Sequence, residues 1–290
     1  MMAAGGWVQA GLDLLLPPGC AVCGGPSGPR CRDTGRAEML CPRCRTRLRP
    51  PTSPGCARCH APLGSRPGRA QDACRECEDW SEALIRVRSA TILVPPADRM
   101  VHSLKYGGLP ELAAPMARAM ARFLPDLEEP GREAVLVPVP TTSDRLRTRG
   151  YNQALRLSEE LGRRTGRTVV EALRRKRGGG SQVALHREER MANVRGVFEP
   201  TEQAEVLSGD RTVIVVDDVL TTGATAGEIA EVLAGAGAGS IRLLVFARAL
   251  PGRTRDPRGG LEPPPGFFHV GEGRRAAPGT ESSATTERRS

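Results

Sequence analysis

Two adjacent carboxylates, Asp217 and Asp218, end the β-branched run of VIVVDDVLTTGATA (213–226), and Thr221, Thr222, Gly223, Ala224 and Thr225 follow at once. A strand that runs through a small polar turn into a helix offers the unpaired amide N–H groups of the helix N-terminus, a natural cradle for a phosphate. Gly223 lets the backbone approach closely. Two carboxylates beside such a cradle would repel the phosphate itself, so they suit hydroxyl groups or a bound Mg2+. The ligand implied carries a phosphate at one end and vicinal hydroxyls nearby, as a ribose 5-phosphate does. The loop lacks the Gly-Lys-Ser/Thr end of a P-loop and is not a GxGxxG dinucleotide loop. The plain alternative is a buried strand that ends in a polar turn.

A second chemistry lies in residues 1–80, where all nine cysteines fall and eight form CxxC pairs: Cys20/Cys23, Cys41/Cys44, Cys56/Cys59 and Cys74/Cys77. Each pair can place two thiolates on one tetrahedral ion, and four pairs predict two consecutive ribbons, each holding a structural Zn2+. Redox chemistry would need only one pair. Joining the first pair to the second and the third to the fourth is simplest, with a cross-braced arrangement as the alternative. Cys31 is left without a partner. The segment has few large apolar residues, so its folding should depend on metal. The N-terminal stretch lacks a basic n-region and is interrupted by Asp13, so it reads as a short amphipathic helix and not a signal peptide. Cysteine-rich chains without an export signal belong in a reducing cytoplasm. No apolar run approaches the roughly 18 residues of a membrane span, which argues against membrane insertion.

Of 42 basic residues only Lys105 and Lys176 are lysine, a bias that makes arginine abundance uninformative and gives the two lysines weight. Residues 130–196 hold 15 Arg or Lys against 7 Asp or Glu, which suits a phosphate-rich ligand or nucleic acid, or else a solvated surface. Lys105, placed just after a helical stretch, could reach a phosphate, and Lys176 opens a basic glycine-rich loop able to close over a site. Both could also be ordinary surface lysines. His60, His102, His186 and His269 show no metal or triad spacing, although His60 beside Cys59 could compete as a zinc ligand. Tyr106 and Tyr151 each adjoin a candidate phosphate loop and read as packing residues.

These residues need elements to position them. Strand-like runs at 89–94, 134–139, 167–172, 212–217 and 241–247 alternate with helical patterns at 111–124, 152–164 and 224–234. Continuous apolar strands separated by helices predict an α/β fold with a parallel sheet covered on both faces. The organisation expected is a double zinc ribbon at 1–80, an α/β domain at 81–250 and a disordered Gly/Pro/Ser/Arg-rich tail at 251–290. Because the phosphate loop lies outside 1–80, deleting the ribbons is expected to leave it intact.

The segment VIVVDDVLTTGAT resembles the phosphoribosyl diphosphate (PRPP) motif of type I phosphoribosyltransferases. Together with the zinc pairs, HSLKYGG (102–108), VPVPTTSDRLRTRGYNQA (137–154) and SQVALHREERMANVRGVF (181–198), the chain resembles the ComF/GntX family over roughly residues 12–248. That resemblance implies a type I phosphoribosyltransferase fold behind a zinc module, with a link to competence, DNA uptake and DNA maintenance. It implies that Asp217 and Asp218 bind ribose hydroxyls, the latter through Mg2+, and that Thr221–Thr225 cradle the 5-phosphate. Arg145 and Arg149 would hold pyrophosphate, with Arg147 equal to them on charge; an arginine fork suits that task. The activity implied is transfer of a 5-phosphoribosyl group, with Asp217, Asp218, Arg149 and Lys105 at the reaction and no covalent nucleophile. The alternative is a non-catalytic module that holds a nucleotide or single-stranded DNA, with DNA-uptake proteins as partners.

Overall fold

The computed structural model describes residues 19–27, 39–52, 54–63, 74–176 and 196–250. The expected N-terminal helix, Cys31, His186, His269, the glycine-rich loop beyond Lys176 and the tail lie outside the described residues.

Among the described residues five strands make one all-parallel sheet: β1 (Leu84–Ile92), β2 (Glu133–Pro138), β3 (Thr168–Val169), β6 (Gly209–Leu220) and β7 (Ala238–Arg248). Their order is β1-β7-β6-β2-β3. A separate antiparallel hairpin joins β4 (Leu173–Arg175) to β5 (Phe198–Pro200). The helices are α1 (Pro42–Thr46), α2 (Ala97–Tyr106), α3 (Ala113–Ala121), α4 (Ser143–Arg149), α5 (Gln153–Thr165) and α6 (Ala224–Gly235).

The central strands are apolar throughout because both faces of the sheet are covered. Val213 and Val215 of β6 turn to one face, beside Val135, Val137, Ile241 and Leu243 in register, and pack under Ile229, Ala230 and Leu233 of α6. Ile214 and Val216 turn to the other, with Leu136, Leu244 and Phe246, beneath α2, α3 and α5. This alternation follows from the two-residue period of a strand. The first cysteine group, with Leu40, joins the α2/α3/α5 layer, while Cys56, Cys59 and Cys77 of the second join the α6 layer. Each ribbon is thus part of a core of the α/β domain, one on each face of the sheet.

Three expectations change. The strand expected over 167–172 contributes only Thr168 and Val169 to the sheet, paired with Val135 and Leu136 of β2 at the edge, before the chain leaves for the hairpin. The helix expected over 111–124 is a 3-10 turn at Pro110–Leu112 followed by α3. Lys105 is not beyond a helix but in the last turn of α2, whose Met100, Val101 and Leu104 are buried at helical spacing. α4 has no buried residue, so no apolar period marks it; Thr142 caps its start and Gly150, at φ 82°, ends it.

Candidate functional site

The carboxyl end of β6 brings Asp217 to a shallow open cleft, which Asp217, Thr221, Gly223 and Thr225 help to line, and sets Asp218 beside it. Its wall includes the start of α6. Gly223 is the N-cap at φ 86° and offers no capping side chain, so the first-turn amides beyond Ala224 remain for an anion. Thr222 Oγ1 accepts from the Ala224 N–H at 3.4 Å and rigidifies the turn.

The two carboxylates are not equivalent. Asp218 is 2 % exposed and meets Lys105 Nζ at 2.6 Å. Asp217 accepts the Asp218 N–H at 2.8 Å. Burial and the Asp218 charge push the Asp217 carboxyl well above the ordinary carboxylate range, with Lys105 opposing them. A pair held in this way lacks one positive charge, and Asp217 with Asp218 suits a hard divalent cation such as Mg2+. Lys105, a candidate for reaching a phosphate, pairs with Asp218.

The other candidate cations lie on α4 and on the β4–β5 hairpin. Arg149 bonds Gln153 Oε1 and lies 5.4 Å from the centre of the Tyr106 ring. Arg147 is tied to Asp144 on the exposed side of α4, whereas Arg145 is exposed. Arg175, which sequence reasoning missed, is half-buried at the end of β4; burial and the Arg145 charge hold it below its usual value. Glu228 of α6 anchors this hairpin by accepting from the Val197 and Phe198 N–H groups at 2.6 and 3.3 Å. Lys176 lies at the hairpin's end, its N–H bonded to the Val197 carbonyl at 2.8 Å. Tyr151 packs as expected, its hydroxyl donating to the Leu104 carbonyl. Tyr106 does not: it is 69 % exposed, beside His102 and Arg149.

The cysteines gather into Cys20, Cys23, Cys41, Cys44 and Cys56, Cys59, Cys74, Cys77, and within each group all sulfurs lie within 4.8 Å of one another. Sulfur separations such as 3.7 Å for Cys23–Cys41 and 3.5 Å for Cys59–Cys74 fit a tetrahedral Zn2+, whose roughly 2.3 Å bonds space thiolates about 3.8 Å apart. The sulfurs also need a cation. Burial opposes ionisation of Cys20, yet backbone donors from Cys41, Cys23 and Val22 bring it to about 6. Burial and the Cys56 charge push Cys77 up to about 12. Four thiolates at such spacing require a metal, and both clusters are of structural zinc-ribbon type.

The knuckles GCAVCGGP (19–26) and GCARCHAP (55–62) repeat one pattern, a signal in the sequence that escaped notice. Their bridges Gly19–Pro26 and Gly55–Pro62 match, and the left-handed position is Gly24 in one and His60, at φ 62°, in the other. His60 Nδ1 accepts the Ser89 N–H at 3.1 Å, which docks the knuckle on β1 instead of ligating zinc.

One contact overturns the expected independence of the phosphate loop from residues 1–80. Trp80 donates its indole N–H to the Thr222 carbonyl at 3.0 Å. Its ring covers Gly223 so closely that a Cβ there would fall 2.3 Å from it. Deletion of 1–80 would strip one side of the loop.

A parallel sheet with an acidic strand end beside an uncapped helix, preceded by two four-cysteine clusters, defines a phosphoribosyltransferase-fold protein with a double zinc ribbon. Family models agree: a double zinc ribbon domain matches residues 11–78 and a phosphoribosyl transferase domain residues 146–263. The chain is 30% identical over 238 residues to the DNA utilization protein YhgH of Salmonella typhimurium, covering 80% of this chain and 90% of that one. It is 27% identical over 198 residues to competence protein ComFC of Bacillus subtilis, covering 65% and 75%. It belongs to the ComF family. Among solved structures, the glutamine PRPP amidotransferase of B. subtilis aligns at 17% identity and TM-score 0.30, over 46% of this chain and 26% of that one.

Proposed function

We propose that the chain binds PRPP with Mg2+ and transfers or handles its 5-phosphoribosyl group. The observation that carries this reading is the placement of Asp217 on one cleft with the start of α6, with Asp218 buried next to it against Lys105. The amides from Gly223 onward and the hydroxyls of Thr221, Thr222 and Thr225 take the 5-phosphate. Asp217 and Asp218 accept from the ribose hydroxyls and would hold the Mg2+, which supplies charge neutralisation to the diphosphate. Lys105 holds the Asp218 carboxylate in place at 2.6 Å. Arg145, Arg149, Arg175 and Lys176 take the leaving pyrophosphate, and guanidinium forks suit its oxygens. Departure of pyrophosphate leaves positive charge on the ribose ring, so the protein works by orienting reactants and stabilising the leaving group. Titration calorimetry of the full chain with PRPP, with and without Mg2+, tests the reading: Mg2+-dependent binding is expected, and no binding under either condition rejects it. Pyrophosphate release across a panel of acceptors then tests catalysis.

A second reading, single-stranded DNA binding during uptake or maintenance, is favoured by the exposed Tyr106 beside Arg149 and by the exposed basic helix α4. The relatives named for DNA utilization and competence point the same way. Both readings place the protein in the cytoplasm, with DNA-uptake proteins as candidate partners.

A further inference from the structure

The second four-cysteine cluster and the phosphate loop are linked by an unbroken series of bonds. Arg58 lies inside the Cys56–Cys59 knuckle. Its guanidinium donates to the carbonyls of Cys77 at 3.0 Å, Trp80 at 3.3 Å, Ser81 at 2.7 Å and Leu84 at 3.2 Å. The Trp80 N–H in turn bonds the Cys77 carbonyl at 3.3 Å. The strip from Cys77 to Leu84 is therefore fixed to the metal-site knuckle by one arginine. From that strip Trp80, 8 % exposed, reaches the loop and takes the Thr222 carbonyl at 3.0 Å.

The consequence for the loop follows from peptide planarity. In a trans peptide the C=O and the next N–H point in opposite directions. Holding the Thr222 carbonyl on the indole therefore turns the Gly223 N–H away from Trp80, and Gly223 lines the cleft. The ring also closes the other side of Gly223, where a Cβ would meet it at 2.3 Å. The donor is thus oriented before any phosphate arrives, so binding requires less ordering.

We propose that Trp80 is a positioning residue for the phosphate loop, and that through it the second four-cysteine cluster sets the affinity for a ribose 5-phosphate group. The inference rests on the PRPP reading of the loop. Coupling of this kind is reciprocal: if the metal-loaded ribbon favours the ligand, the ligand favours retention of that metal.

The test uses the full-length, zinc-loaded chain with PRPP and Mg2+. Trp80→Phe keeps a ring over Gly223 but removes the donor, and is expected to weaken PRPP about tenfold, the scale of one lost hydrogen bond. Because the chain has two tryptophans, Trp7→Phe makes Trp80 the sole reporter, and PRPP should shift its emission. In the unmutated protein, equilibrium competition with a chelator should show PRPP protecting one zinc and not the other. Cys23→Ser, which disables the first cluster, should retain the protected zinc. Equal PRPP affinity in the unmutated protein and Trp80→Phe, or PRPP without effect on zinc retention, overturns the coupling. If neither PRPP nor ribose 5-phosphate binds the unmutated protein, the reading of the loop fails and the proposal with it.

Discussion

Lys105, in the last turn of α2, and Asp218, near the end of β6, meet at 2.6 Å, with the carboxylate almost wholly buried. The pair joins two elements that the sequence separates by more than a hundred residues. Lys105→Met should leave Asp218 charged and unpaired, at a cost of roughly 3 kcal/mol, the lower end for breaking a buried pair. Thermal denaturation measures it; a stability within about 0.5 kcal/mol of the unmutated protein would show the pair to be exchanged for water.

Replacing Asp217 and Asp218 together by Asn preserves size and removes the charge facing hydroxyls and metal. Calorimetry should show loss of the Mg2+-dependent part of PRPP affinity while the fold, followed by circular dichroism, persists. Unchanged affinity in the folded double variant would move the site elsewhere.

Asp217 also makes a pH signature. Its folded carboxyl is raised above the unfolded value, so the folded state binds the proton more tightly. Stability from this group is therefore greatest at low pH and falls as pH rises from the ordinary carboxylate value through the raised one. Asp217→Asn should flatten that decline in denaturant midpoints measured across pH. A decline of the same slope in the variant would assign it to another group.

Gly223→Ala should be far worse than an ordinary surface change. The left-handed φ of 86° alone costs a residue with a Cβ about 1–2 kcal/mol, and the new methyl strikes the Trp80 ring. Lower thermal stability and loss of PRPP binding are expected together. A stable variant that still binds would show that the loop can re-form without the indole contact.

Elemental analysis of protein purified without added metal should find about two zinc per chain. Since Cys56, Cys59 and Cys77 share a core with α6, removing zinc from the second cluster should lower the melting temperature of the whole domain. A folded, zinc-free protein would reject both statements.

If single-stranded DNA binds at α4, its affinity should fall with salt. Three phosphate contacts from Arg145, Arg147 and Arg149 give a logarithmic slope near about −2. Tyr106→Ala should weaken DNA by about 1–3 kcal/mol through lost stacking, without affecting PRPP. A flat salt curve excludes phosphate contacts.

Local pattern alone determined much of this protein. The acidic strand end with its TTGAT turn, the four CxxC pairs and the apolar periods of β2, β6, β7, α5 and α6 are each written in contiguous residues, because strand period, helix period and ligand spacing are short-range properties. Three-dimensional packing decided the rest. The short β3 depends on its edge position, α4 buries nothing and so carries no period, and the positions of Lys105, Arg175 and Tyr106 depend on which elements meet at the mouth. The contact of Trp80 with Thr222 spans 142 residues. No spacing rule reaches so far: the two meet because the second ribbon joins the same hydrophobic face as α6.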